Sequence, residues 1–279
     1  VTIDAHQHFW CLERGDYGWI TADVPELHRD FLPRDLLPHL DACGIDRTVL
    51  VQAAPTVQET RFLLELADAE PRVAGVVGWV DLGADDARAT IDALAAHPRL
   101  LGIRPMLQDI DDTDWVLSAG VLDALAHVAA SGLRLDALIQ PRHLDTVDAL
   151  ARRLPTLPIV IDHVAKPVMQ AGVPPEAAWL DGMARLAGHP RICCKLSGMA
   201  TEFGAGWRAA SLAPFADAVL ERFGADRVMW GSDWPVLELV GSYEQWYDAA
   251  ETLARALDDD ERAALFGRTA ARFYGLDPP

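Results

Sequence analysis

A chain of 279 residues, 51% of them hydrophobic and 24% charged, has material for one large buried core. Its formal net charge of -18 repels a phosphate backbone at long range, and no Lys/Arg-rich run offsets that charge, so nucleic acid is excluded as a partner. No uninterrupted apolar stretch reaches membrane-spanning length, and the first residues read as a strand rather than a signal peptide, so the chain is expected in the cytoplasm with no membrane partner.

In chain order, short apolar and β-branched runs fall at residues 2–4, 48–52, 73–80, 101–104, 133–139, 159–162, 192–196 and 228–231. Between them, 59–69, 85–96, 121–130, 144–154 and 213–223 carry apolar residues at three- and four-residue spacing, as helices packed outside a sheet require. Eight strands alternating with crossovers predict a single-domain α/β protein over residues 1–279, a closed (β/α)8 TIM barrel. The segment 9–40 reads as a long loop folded over the mouth, and a helical pattern over 243–273 caps the outer ring. Cys11, Cys43, Cys193 and Cys194 have a spacing that suits neither a disulfide framework nor a zinc knuckle, and are expected to be small buried thiols.

In such barrels the chemistry collects at the C-terminal ends of the strands. The first strand ends Asp4-Ala5-His6-Gln7-His8, and alternation along a strand points His6 and His8 the same way. Arg104 ends the fourth strand, Asp162-His163 the sixth with Lys166 close behind, Lys195 the seventh, and Gly231-Ser232-Asp233 the eighth. Lys166 and Lys195 are the two lysines among 24 Lys plus Arg, and both fall at strand ends rather than on helical faces. His28, His39, His97, His127, His143 and His189 fall in loops or helical segments and are read as solvated or capping. Trp19, in the first loop, and Trp234, after the last strand, are candidate flat walls for a sugar-like ring.

Taken together, Asp4-Ala5-His6-Gln7-His8-Phe9-Trp10, Gly102-Ile103-Arg104, Ile161-Asp162-His163 with Lys166-Pro167, Lys195-Leu196-Ser197-Gly198 and Trp230-Gly231-Ser232-Asp233-Trp234-Pro235 resemble the lactonase branch of the amidohydrolase superfamily. Within it the sequence is most similar to sugar-acid lactonases of the L-fuconolactone and L-rhamnonolactone type. The resemblance implies a hydrolase that opens a 1,4- or 1,5-aldonolactone, with a small sugar lactone as its partner. Where binuclear members carry a bridging Lys or Glu and a further His, this chain has Arg104-Pro105 and Gln140-Pro141, which argues against a two-metal centre. His6, His8 and Asp233 could still hold one divalent ion such as zinc, or work with none.

On this reading Asp233 takes the proton of the attacking water, aligned by His6 and His8, and His163 polarises the carbonyl. Arg104, Lys195, Lys166, Trp19 and Trp234 hold the substrate. Two alternatives stand beside it: a metal-dependent decarboxylase or hydratase of small carboxylic acids, and a non-catalytic sugar-binding barrel, which would not need Asp233 beside the histidines.

Overall fold

The computed structural model describes residues 1–276. Its strands are β1 (Ile3–Gln7), β2 (Arg47–Val51), β3 (Val73–Gly78), β4 (Leu100–Ile103), β5 (Arg134–Ala137), β6 (Ile159–Ile161), β7 (Ile192–Leu196) and β8 (Val228–Trp230). They form one parallel sheet in the order β1 to β8. Rungs just past the strand ends close it: Asp233 N–H donates to the His6 carbonyl at 2.8 Å, and His8 N–H to the Trp234 carbonyl at 2.7 Å. The expected (β/α)8 barrel is the fold observed. No helix among the described residues is long and apolar enough to cross a membrane.

The outer helices are α1 (Pro33–Cys43), α2 (Val57–Ala69), α3 (Ala87–Ala95), α4 (Ala119–Ala130), α5 (Leu144–Arg153), α6 (Ala177–Ala187), α7 (Met199–Phe203), α8 (Ala209–Phe223) and α9 (Tyr243–Leu253), followed by α10 (Asp259–Ala263) and α11 (Thr269–Tyr274). Helix α1 corrects the expectation of a loop over 9–40. Pro33 occupies its first turn, where no intrahelical N–H is needed, Gly44 closes it in the left-handed region, and Leu36 and Leu40 are buried. Each such leucine stabilises by about 1.5–3 kcal/mol when fully buried.

Two apolar layers result. One lies between the sheet and the helices. The other fills the barrel axis with Ile3, Ala5, Val49, Val77, Val160 and Met229, and there Phe273 and Tyr274 of α11 pack against it. The polar end is therefore the opposite, C-terminal one. All four cysteines are free; Cys193 and Cys194 are buried as expected, whereas Cys11 and Cys43 are only half-buried.

Candidate active site

His6 and His8 meet at the mouth with their Nε2 atoms 3.2 Å apart. The pairing of β1 with β2 slips between Asp4 and Gln7, an irregularity of the kind that re-aims side chains beside active sites. Nδ1 of His8 lies 2.8 Å from the Val51 carbonyl, which can only accept, so that nitrogen carries a proton and Nε2 faces the mouth. Asp233 Oδ1 lies 3.3 Å from His8 Nε2, 3.7 Å from His6 Nε2 and 3.8 Å from His163 Nε2. Three imidazoles thus surround one carboxylate oxygen.

Both residues that reach in from beyond β6 and β8 are held in the left-handed backbone region. Asp233 has φ 60°, and His163, Val164, Ala165 and Lys166 form a consecutive left-handed turn with φ between 47° and 62°. Such a conformation costs about 1–2 kcal/mol per residue, so tertiary contacts must hold it. Trp179 Nε1 donates to the Val164 carbonyl at 2.9 Å, Lys166 N–H to the His163 carbonyl at 2.8 Å, and His163 Nδ1 meets Ser197 Oγ at 2.9 Å. Gly198, at φ 63°, lies so close that a Cβ there would stand 2.4 Å from His163 Nδ1. Only glycine leaves the imidazole its place.

Beneath the mouth lies a buried ionic layer. Lys195, fully buried in β7, reaches Asp136 Oδ2 at 2.5 Å, Asp162 Oδ1 at 3.1 Å and His6 Nδ1 at 3.2 Å. Arg104 donates to Asp162 Oδ2 at 3.2 Å and to the Gln52 carbonyl, and its Nη1 lies 3.4 Å from His6 Nε2. Tyr274 of α11 donates to Asp136 Oδ2 at 2.7 Å from below.

Burial, reinforced by the Lys195 ammonium, holds the His6 pKa well below the ordinary histidine value. Burial likewise lowers His163, to about 4, against the pull of Asp233. For Asp233 burial acts to raise the pKa, but His163, the hydrogen bond from His8 and the His6 ring together hold it below the usual carboxylate range. At neutral pH the centre is an ionised carboxylate among imidazoles of which His6 and His163 are neutral.

The donors suit one metal ion. Ligands 2.0–2.1 Å from a tetrahedral ion lie about 3.3–3.4 Å apart, and His6, His8 and Asp233 are spaced at 3.2, 3.3 and 3.7 Å. Those three form a candidate ligand set, and His6, Asp162 and His163 form another that shares His6.

Comparison with known proteins places this geometry in a family. The family model described as Amidohydrolase matches residues 3–276. The chain belongs to the amidohydrolase family. This amidohydrolase is 46% identical over 281 residues to an L-fucono-1,5-lactonase of Burkholderia ambifaria, covering 99% of this chain and 96% of the relative. An L-fucono-1,5-lactonase of Burkholderia multivorans is 39% identical over 295 residues, covering 100% and 97%. A crystal structure of a Burkholderia multivorans amidohydrolase with bound zinc superposes with a TM-score of 0.91 at 38% identity, covering 99% and 100% of the two chains.

Above the centre of this amidohydrolase opens a cavity of about 360 Å³ lined by His8, Arg104, His163 and Asp233, with Trp19 and Lys166 at its walls. Six of the residues singled out in the sequence therefore share it, and His6 stands against His8 and Asp233 at its floor. Two do not line it, and their expected substrate contact is corrected. Lys195 is consumed by Asp136 and Asp162, with no exposed surface to offer. Trp234 is 1% exposed, donates to Glu238 Oε1 at 2.8 Å and packs edge-on against Phe9 and Phe31. Lys166 meets Glu202 at 2.8 Å. His39, His97, His127 and His189 each pair with a carboxylate outside the mouth.

Asp136 escaped the sequence reading, although a carboxylate inside the apolar run 133–139 was a visible signal. Gln52, Met106, Gln108 and Leu138 carried none.

Glu59, fully buried in α2, holds the cavity rim from behind. Its oxygens accept from Ala53 N–H at 2.9 Å and Ala54 N–H at 3.0 Å, and the Ala53 carbonyl accepts Trp19 Nε1–H at 2.8 Å. Burial pushes the Glu59 pKa up to about 7 despite those bonds. A carboxyl whose folded pKa is raised contributes stability that is complete below its unfolded pKa and is lost as pH rises through the folded value. Thermal melts of wild type and Glu59→Gln are therefore expected to show the wild type losing ground to the variant between pH 5 and pH 8. A gap independent of pH would contradict this.

Proposed function

We propose that the protein hydrolyses the 1,5-lactone of a sugar acid, L-fucono-1,5-lactone or a close analogue, to the open-chain acid. The observation that carries the reading is the ionised Asp233 carboxylate ringed by three imidazoles at the floor of a cavity sized for one sugar ring. Sequence likeness to two L-fucono-1,5-lactonases supports the choice of substrate.

The carboxylate accepts a proton from a water held among His6, His8 and Asp233, and the water oxygen bonds to the lactone carbonyl carbon. With Ser197 Oγ–H donating to Nδ1, His163 carries its own proton on Nε2 and donates it toward the carbonyl oxygen as negative charge develops there. The Arg104 guanidinium, held rigidly by Asp162 and Gln52, adds positive potential on the same side. Asp233 then returns its proton to the departing ring oxygen as the carbonyl–oxygen bond breaks. The product ionises and releases one proton per turnover. Lys166 and Trp19 bind the substrate at the walls.

A divalent ion such as zinc, held by His6, His8 and Asp233, would polarise oxygen ligands as a Lewis acid. Calorimetric titration of zinc into chelated protein is expected to show one ion per chain, weakened at least tenfold in His8→Ala. Equal affinity in both would remove His8 from the ligand set.

Nuclear magnetic resonance of L-fucono-1,5-lactone incubated with the protein is the test of the reaction itself. The expected product is the open-chain acid, formed faster than in buffer. Loss of carbon dioxide from a small carboxylic acid, with no lactone opening, would favour the decarboxylase alternative instead.

A further inference from the structure

We infer that Gln108 and Asp109, on the β4 side of the cavity, bind the ring hydroxyls of the lactone and make a polyhydroxylated ring a requirement of the site. The inference rests on the lactonase reading above and deepens it by naming the side chains that recognise the sugar.

Every other polar side chain around the cavity is already engaged by protein. His8 meets the Val51 carbonyl, Arg104 meets Asp162 and Gln52, and His163 meets Ser197. Lys166 meets Glu202, Trp19 donates to the Ala53 carbonyl, and Asp233 is ringed by its three imidazoles. The rest of the lining is apolar. Among the described residues no hydrogen bond or ion pair engages the side chain of Gln108 or of Asp109.

A sugar 1,5-lactone brings hydroxyls on C2, C3 and C4, and each must exchange water for a new partner as it enters. A carboxylate accepts from two neighbouring hydroxyls at once, and an amide both donates and accepts. The two free side chains therefore match a diol.

Their backbone is fixed before any ligand arrives. Both sit in the single helical turn Leu107–Asp109 after β4. Gln108 N–H donates to the Leu138 carbonyl at 3.0 Å, and Asp109 N–H to the Met106 carbonyl at 3.0 Å. Arg142 holds the segment from outside, donating to the carbonyls of Gln108 at 3.2 Å and Ile110 at 2.9 Å and to Thr113 Oγ1 at 2.7 Å. A backbone already held lowers the entropy lost when a ligand binds. In the order β1 to β8, β4 stands opposite β8, so Gln108 and Asp109 lie across the cavity from Asp233 and apart from its proton transfers. Removing them weakens binding and leaves the chemistry in place.

The test measures KM and kcat for L-fucono-1,5-lactone and for δ-valerolactone, the same ring without hydroxyls. Wild type is expected to open δ-valerolactone with kcat/KM at least about 100-fold lower, because a site built to bond hydroxyls rejects a ring lacking them. Asp109→Ala is expected to raise KM for the sugar lactone by about 10- to 100-fold, the loss of charge-assisted hydrogen bonds, and Gln108→Ala by about 3- to 10-fold, with kcat within about twofold of wild type. Neither variant is expected to lower kcat/KM for δ-valerolactone, which has no hydroxyl to lose. Asp109→Asn keeps one accepting oxygen and is expected to recover part of the loss. Asp109 is exposed and Gln108 half-buried, so the variants are expected to fold. Equal use of the two lactones by wild type, KM for the sugar lactone unmoved in both alanine variants, or an equal fall for both lactones overturns the assignment while leaving lactone hydrolysis standing. Failure of wild type to open either lactone overturns the lactonase reading and this inference with it.

Discussion

Asp233→Asn is expected to lower kcat/KM for lactone hydrolysis by about 10²- to 10⁴-fold, the usual contribution of a positioned general base. The substitution isolates chemistry from folding for a structural reason. Asp233 sits at φ 60°, and asparagine tolerates the left-handed region about as well as aspartate does. Its amide retains the shape but cannot take up the proton of water. The fold should therefore survive, which circular dichroism and the melting temperature check. Near-normal turnover in the folded variant would remove Asp233 from the reaction, and with it the role given to the imidazole ring.

The second large effect concerns stability. Lys195→Met is expected to destabilise the protein by about 3–5 kcal/mol, because it strands Asp136 in a fully buried site with its cation gone and leaves Asp162 only Arg104. A lysine acting only as a substrate contact at an open wall would cost far less. Denaturant unfolding of Lys195→Met, and of the double variant with Asp136→Leu, separates the two. The double variant is expected to recover part of the loss, since removing both charges leaves less uncompensated. A single variant within about 0.5 kcal/mol of wild type, the range of ordinary surface changes, would contradict the buried role.

What the sequence hid follows from the same geometry. Alternating apolar runs and amphipathic helices are local signals, and they located all eight strands. The run 2–4 starts one residue ahead of β1 and stops three short of its end, because Ala5-His6-Gln7 breaks the apolar pattern though every residue of it is buried. His6, His8, His163 and Asp233 could be paired from the sequence because strand ends in a barrel converge whatever the details of packing. Lys195 could not be placed that way. Its β-strand position was evident, but whether its side chain rises to the mouth or turns to Asp136 on β5 depends on what the barrel interior offers, which one strand does not record. Trp234 misled for a simpler reason: its neighbour Asp233 turns into the cavity, and the next side chain points away, into Phe9 and Phe31. Met106 and Leu138 look like ordinary core residues until the cavity above them is seen.

Whether the carboxylate and imidazoles at the barrel mouth open a sugar lactone is decided by the initial rate of proton release from L-fucono-1,5-lactone in weakly buffered solution. The expected rate lies far above spontaneous opening and saturates with substrate, with one proton per lactone consumed. A rate indistinguishable from buffer alone, measured with folded protein both chelated and supplied with zinc, would contradict it.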